Sequence, residues 1–140
     1  MKISIEEALE GSTPLAEKVR AHGPFTSATQ LVDQMRAVLP TLSEEEKVAT
    51  LNAHPRIGEN PERLSARSLN EQGTEVLPEL ERLNAEYERR FGFRFVVFVN
   101  RRPKGEIVEV LRRRLRGSRE EELTEGLRAI IDIAADRLEA

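Results

Sequence analysis

The chain has 140 residues, 34% charged and 39% hydrophobic, with a formal net charge of −3 and no cysteine. That length suits one domain with a real core, and that composition suits a soluble, surface-charged protein. The acidic balance removes any general attraction to nucleic acid or anionic membrane; the missing cysteines remove disulfides, thiolate metal sites and cysteine nucleophiles.

The longest strongly apolar run, Phe95–Val99, is too short to cross a bilayer. The opening residues, Met1 to Glu7, lack the apolar core of a signal peptide, so a cytoplasmic location is expected. Ser4-Ile5-Glu6-Glu7 reads as a capping box opening a short helix that Gly11 ends. Thr13-Pro14 starts a second helix, with proline where its missing N–H costs nothing. It carries Leu15 and Val19 and stops at Gly23-Pro24, with His22 in its last turn making an ordinary contact with the helix C-terminus. Ser27-x-x-Gln30 is a second capping box, followed by Leu31, Val32, Met35, Val38 and Leu39 at helical spacing before Pro40.

Ser43-x-x-Glu46 opens a helix bearing Val48 and Leu51 that runs into Leu51-Asn52-Ala53-His54-Pro55-Arg56-Ile57-Gly58. Pro55 disfavours the α conformation at His54 and fixes its own φ, so the imidazole stands on a stiff turn past a helix end. Histidine titrates near neutral pH, which makes this a good place for a proton-transfer group. After Gly58, Asn60-Pro61 predicts a brief helical turn. Ser68-x-x-Glu71 reads as a fourth capping box, yet Glu71 stands seventeen residues after His54 across a loop, so both can face one pocket.

Pro78 restarts the helical pattern; Leu80, Leu83, Tyr87 and Phe91 keep one face apolar, and Gly92 stops it. Phe93–Val99 is the one stretch with β-propensity and is read as a buried extended segment through the core. Pro103 opens the next helix, with Ile107, Val108, Leu111 and Leu115 inward and Arg112, Arg113, Arg114 and Arg116 on the other faces. Glutamates lie close to these arginines and no aromatics interleave, which favours solvated ion pairs over nucleic-acid binding. Gly117 ends that helix and Ser118-x-x-Glu121 caps the last, whose stripe is Leu123, Leu127, Ile130, Ile131, Ala134 and Leu138. At about 100° per residue, Arg137 falls only ~20° from Ile130, at the stripe's edge. An arginine there needs an anion, either a carboxylate partner or a substrate. Helix after helix with short connections predicts an all-α, single-domain helical bundle over residues 1–140, with one short buried extended segment over Phe93–Val99.

Taken in order, His54-Pro55, Ser68-x-x-Glu71-Gln72, Asn84-x-x-Tyr87, Phe91-Gly92-Phe93-x-Phe95-Val96-Val97, Arg114-Leu115 and Arg137-Leu138 resemble the OHCU decarboxylase family over nearly the whole chain. That family decarboxylates 2-oxo-4-hydroxy-4-carboxy-5-ureidoimidazoline on the route from urate to (S)-allantoin. The resemblance implies an all-α enzyme with no cofactor and no metal, acting as a homodimer on a small molecule. It implies catalytic roles for His54 and Glu71. It also implies substrate binding by Pro55, Ser68, Gln72 and Arg137, with the backbone at Val97 and Val99 lining the pocket. The sequence departs from the common pattern at Arg56-Ile57-Gly58, at Arg94 and at Asn100-Arg101-Arg102.

The rival readings come from other classes. A non-catalytic helical interaction module would use the same caps and stripes but gives no reason for Arg137 at the stripe edge. A metal hydrolase needs more ligands than two distant histidines and scattered carboxylates, and no HExxH spacing occurs. A related enzyme acting on another ureido or imidazoline acid is the third.

Overall fold

Short polar caps and apolar stripes divide the chain into eight helices among the described residues. The structure is a computed structural model and describes residues 3–58, 65–72 and 77–139. The helices are α1 (Ile5–Leu9), α2 (Pro14–Arg20), α3 (Ala28–Val38), α4 (Glu44–Asn52), α5 (Ala66–Gln72), α6 (Pro78–Phe91), α7 (Lys104–Arg114) and α8 (Arg119–Glu139). A 3-10 turn at Leu39–Thr41 follows α3, and no strand occurs among the described residues. The turn expected at Asn60-Pro61 lies outside the described residues.

The expected capping boxes form at Ser4–Glu7, Ser43–Glu46 and Ser118–Glu121, each serine and glutamate satisfying the other's main-chain N–H. Two expectations need correction. Ser27 accepts from the Gln30 N–H, but the Gln30 side chain turns back to Thr26 instead of closing the box. The cap of α5 is Ser65, whose hydroxyl takes the Ser68 N–H at 3.1 Å. Ser68 therefore lies inside the helix, and its side chain and that of Glu71 are released from capping. The end of α1 also differs: Glu10 takes the left-handed cap (φ 60°, ψ 39°) expected of the following glycine.

The long apolar stripe of α8 packs against α1, α3 and α4, while α6 packs on α7. Phe93–Val99 crosses the core as an extended run without a partner strand; Phe93, Phe95, Val96 and Val99 are buried. Its aromatics meet Tyr87 of α6, with ring centroids 6.1 Å away for Phe93 and 5.3 Å for Phe95, edge-on as ring quadrupoles favour. Arg114 was expected on an outer face of α7 but is buried, being three residues after Leu111 and seven after Ile107 on the inner face. Its Nε donates to Glu122 at 2.5 Å, the Tyr87 hydroxyl donates to the same oxygen at 2.8 Å, and its guanidinium lies 4.9 Å from the Phe95 ring centre. A weaker bond of 3.4 Å reaches the Val96 carbonyl. A buried ion pair thus ties α7 and α8 to the extended segment.

Gly126 lets α8 approach α4 closely. A Cβ there would stand 2.8 Å from Leu51 Cδ2, and Leu51 is fully buried three residues before His54. Overpacking of this kind costs about 1–3 kcal/mol, against about 1 kcal/mol of gained helix propensity. Gly126→Ala is expected to destabilise the protein by about 1 kcal/mol, read as a fall in chemical-denaturation midpoint; equal or higher stability would show that Leu51 has room to move.

Candidate active site

The helix end at α4 positions the histidine. Past Asn52 the chain turns through Ala53, and the His54 N–H donates to the Leu51 carbonyl at 3.1 Å. Arg94 completes this turn from the extended segment. Its guanidinium donates to the carbonyls of Asn52 (2.9 Å) and His54 (3.0 Å), and its main-chain N–H donates to Asn52 Oδ1 at 3.0 Å. These bonds occupy carbonyls that a helix end leaves orphaned.

The imidazole itself is only 3% exposed, and neither ring nitrogen has a partner in good hydrogen-bond geometry among the described residues, the Thr50 carbonyl being only a weak backbone acceptor. Buried polar groups are rarely left so, because each costs about 1–3 kcal/mol. Burial is the largest influence on its proton affinity. With the positive charge of Arg137 it pulls the pKa from 6.5 down to about 4, while the Glu10 charge and the Thr50 carbonyl oppose the shift. His54 is therefore neutral at physiological pH, with one nitrogen a donor and the other an acceptor.

His54 faces a cavity of about 440 Å³, a size suited to a small polar molecule. All eight residues singled out from the sequence line it: His54, Pro55, Ser68, Glu71, Gln72, Val97, Val99 and Arg137. Ile57, Asn70, Phe95, Val96, Phe98, Asn100, Arg101, Ile133 and Asp136 complete the wall. Loop, α5, extended segment and α8 each contribute one side.

The polar geometry fixes what each group can offer. Arg137, 3% exposed, meets Glu71 in a two-pronged pair, Nε to Oε2 at 2.9 Å and Nη2 to Oε1 at 2.8 Å. Nη2 also donates to Glu10 at 2.8 Å and lies 3.3 Å from Ser68 Oγ, and Nη1 donates to the Glu7 carbonyl at 3.0 Å. Of the five guanidinium protons, only the second on Nη1 is left over. The pair with Glu71 is the one the stripe-edge position of Arg137 called for; it also means that Glu71 is bonded to Arg137 and not to His54.

Ser68 donates its hydroxyl proton to Glu10 at 2.5 Å, so towards the cavity it can only accept. Gln72 accepts from the Gly58 N–H at 3.0 Å and donates to the Arg56 carbonyl at 3.4 Å, leaving one amide proton as a donor. The main chain of Val97 has no partner among the described residues. The wall thus presents an acceptor at Ser68, a donor at Gln72, a neutral imidazole, and main chain at Val97.

Glu10 is the residue that sequence reasoning missed. It stands 61 positions before Glu71 in the chain and carries no motif. Its left-handed backbone is uncommon for a residue with a Cβ and costs about 1–2 kcal/mol. Burial would raise its carboxyl pKa, but bonds from Ser68 and Arg137, the Arg137 charge and the Ser65 hydroxyl outweigh burial and hold it below 4.5. Asn100 and Arg101, at the cavity rim, are likewise left-handed, at φ 49° and 63°.

A helical domain enclosing a neutral histidine beside a carboxylate and a guanidinium has the layout of an acid–base enzyme. The OHCU decarboxylase family model matches residues 3–139. The chain belongs to the OHCU decarboxylase family. It is 31% identical over 139 residues to the 2-oxo-4-hydroxy-4-carboxy-5-ureidoimidazoline decarboxylase of Haloferax volcanii, covering 94% of this chain and 83% of that protein. It is 30% identical over 137 residues to the uric acid degradation bifunctional protein of Bacillus sp. (strain TB-90), covering 93% of this chain but only 27% of that one, so it spans about a quarter of that relative. A crystal structure of OHCU decarboxylase in the presence of (S)-allantoin shares the fold, with a TM-score of 0.77, 20% identity, and 95% and 92% of the two chains covered. So does a crystal structure of (S)-allantoin synthase, with a TM-score of 0.66 and 20% identity, covering 98% of this chain and 53% of that one.

The lowered His54 pKa has a thermodynamic consequence. The unfolded chain binds this proton near pH 6.5 and the folded one only near 4. Between those values the unfolded state holds more protons, so the contribution is intact above pH 6.5 and lost as pH falls towards 4. The loss approaches about 3 kcal/mol at 1.36 kcal/mol per pKa unit. Thermal melts from pH 7 to pH 4 are expected to fall more steeply for the wild type than for His54→Gln. Parallel profiles would show that His54 is not buried neutral.

Proposed function

We propose that this protein decarboxylates 2-oxo-4-hydroxy-4-carboxy-5-ureidoimidazoline to (S)-allantoin, as a single domain and without a cofactor. The observation that carries the reading is the neutral, deeply buried His54, which has no side-chain partner among the described residues and lines the cavity with Glu71 and Arg137. Family membership and the relatives' names support it.

The substrate chemistry asks little of a protein. One ring carbon bears both a hydroxyl and a carboxylate, next to a C=N bond. When the bond to the carboxylate breaks, CO2 leaves and the electron pair moves into the C=N, whose nitrogen takes up a proton. The hydroxyl then gives up its proton and becomes C=O, while the new C=C is protonated on one face of the neighbouring ureido-bearing carbon, which gives the chiral product; on balance one CO2 is lost and one proton gained. The C=N is the electron sink, so what remains for the protein is orientation, proton transfer and choice of face.

The residues divide these tasks. The acceptor nitrogen of His54 takes the hydrogen bond or proton of the hydroxyl, and its other N–H is placed to serve the later proton. An anionic substrate beside the ring also favours the imidazolium, moving the proton affinity up from its resting value. Glu71, the more exposed of the two carboxylates on Arg137, gives way to the substrate carboxylate and shares the proton with His54. Arg137 then presents its planar fork to an anion. Ser68 accepts from a ureido N–H and Gln72 donates to a carbonyl, as their remaining valences dictate. Pro55 stiffens the turn. Main chain at Val97 and Val99, with the apolar wall around it, lines the pocket beside the ring. The resemblance supports a homodimer in the cytoplasm, and among the described residues no helix is long and apolar enough to cross a membrane.

Freshly oxidised urate with the protein is expected to give optically active allantoin rapidly by circular dichroism. Racemic product at the spontaneous rate would remove the assignment. His54→Ala should fold and lose activity, and Glu71→Ala combined with it should be no worse than the poorer single variant, since the two act as one unit. A folded His54→Ala protein with full turnover would sink the proton-transfer role.

Because the substrate supplies its own electron sink, EDTA treatment followed by gel filtration is expected to leave turnover unchanged. Activity lost there and regained with zinc would defeat the cofactor-free mechanism.

A further inference from the structure

Two carboxylates share Arg137, and the proposed reaction uses only one. Glu10 does not line the cavity, yet one of its oxygens collects three donors: Ser68 Oγ at 2.5 Å, Ser65 Oγ at 2.9 Å and Arg137 Nη2 at 2.8 Å. It does so from a left-handed backbone position where glycine is the ordinary resident. A local helix stop does not require a carboxylate; the Arg137 network does.

The two carboxylates are also held differently. Glu71 lines the cavity and its side chain is 27% exposed, whereas Glu10 is 11% exposed and fastened by two serines. Anything entering the cavity meets Glu71 first. If Glu71 were the sole anion, the buried guanidinium would stand uncompensated while Glu71 and the substrate anion change places, and buried charges are not tolerated unpaired.

We infer that Glu10 is a positioning residue for the proposed reaction. It is the permanent counter-ion that keeps the Arg137 guanidinium ordered when Glu71 exchanges its partner, and the acceptor that fixes the Ser68 hydroxyl pointing away from substrate. The inference rests on the decarboxylase reading above. Its chemical consequence is a defined polarity. With its proton committed to Glu10, Ser68 offers substrate a lone pair, which selects an N–H of a ureido or amide group over a carbonyl or carboxylate at that point.

The test has a kinetic arm and an arm independent of turnover. In the first, kcat, KM and melting temperature are measured for wild type, Glu10→Ala, Ser68→Ala and the double variant. Glu10→Ala is expected to lose about 10- to 100-fold in kcat/KM per folded molecule, as misplacement of orienting groups typically does. The double variant is expected to lose less than the product of the two singles, because Glu10 acts in part through Ser68. A solely structural Glu10 would lower the melting temperature and leave kcat/KM per folded molecule unchanged, which would overturn the inference.

In the second arm, the Arg137 guanidinium is followed by ¹⁵N NMR in Glu71→Ala and in Glu10→Ala/Glu71→Ala. Distinct, slowly exchanging Nη signals are expected in the single variant and averaged ones in the double. An ordered guanidinium in the double variant, or a disordered one in Glu71→Ala, would overturn the role. Glu10→Gln, which keeps the shape and removes the charge, gives the same readings where Glu10→Ala fails to fold. A wild type without decarboxylase activity would refute the parent reading alone, and the NMR arm would still decide whether Glu10 positions Arg137.

Discussion

Arg137 is the constraint around which the rest is arranged. A guanidinium with 3% of its surface in solvent has to be neutralised and have its protons placed, or the helix carrying it would not fold inward. The solution draws three separate pieces of chain to one point: the end of α1 through Glu7 and Glu10, the short α5 through Ser68 and Glu71, and the last turn of α8. Removing one partner of such a group costs about 3–5 kcal/mol, comparable to a large part of a domain's stability. Several local oddities follow from it. The first helix stops in a left-handed glutamate because that backbone sends the carboxylate to Arg137. The α5 cap falls on Ser65, which leaves Ser68 and Glu71 facing the same guanidinium.

A second buried pair, Arg114 with Glu122, does for the cavity's other wall what Arg137 does for the floor. Phe93–Val99 has the composition of a strand and no strand to pair with, so something else has to hold its peptide groups. Arg114 reaches the Val96 carbonyl, Arg102 takes the carbonyls of Phe98 (2.6 Å) and Val99 (3.0 Å), and Tyr87 packs against the rings. Phe95 to Val99 of the segment line the cavity. The low proton affinity of His54 belongs to the same design. Burial is its largest cause, and the charge of Arg137 adds to it. His54, the Arg137 cluster and the peptide wall are therefore not separable features.

The helical order was legible from caps and periodicity because those signals are local. Ser4, Ser43 and Ser118 behave as their spacing predicts, since a capping box needs only four residues and no tertiary partner. The misreadings share a cause. Ser68-x-x-Glu71 has capping spacing, but Ser65 lies one turn earlier and takes the Ser68 N–H, which puts Ser68 inside the helix; spacing alone does not rank two serines. Arg114 looked like part of a basic surface because its neighbours are arginines, while its burial depends on a glutamate in another helix. His54 stands out by its turn before Pro55, Glu71 by its spacing from His54 and Arg137 by its place at the stripe edge, and the family resemblance adds their roles. Their mutual geometry was not legible, because Glu71 pairs with Arg137 across 66 residues. Glu10 had no signal at all: a glutamate before a glycine at a helix end is unremarkable until its φ and its partners are known.

The departures from the family's common pattern gain a physical account from the same geometry. Arg56 is lashed to Glu88 of α6 by two bonds, Nε to Oε2 at 2.6 Å and Nη2 to Oε1 at 2.9 Å, on the side of the loop away from the cavity. Gly58 turns with φ 79° where Gln72 grips its N–H, and its Cβ-free face lies against Leu80. Arg94 closes the end of α4 by binding the Asn52 and His54 carbonyls, outside the cavity lining. These three changes thus brace the turn that carries His54 without altering what the cavity presents. The departures that do reach the lining are Ile57, which adds an apolar surface, and the left-handed pair Asn100-Arg101 at the rim. Of these only Arg101 brings a full charge, positive, to an entrance that would admit an anion. The buried floor and the exposed rim are therefore under different pressures. The polar inventory around His54 is fixed by buried ion pairs that tolerate little change, whereas the rim is exposed and free to vary. Any divergence in substrate from the rest of the family has to be written there.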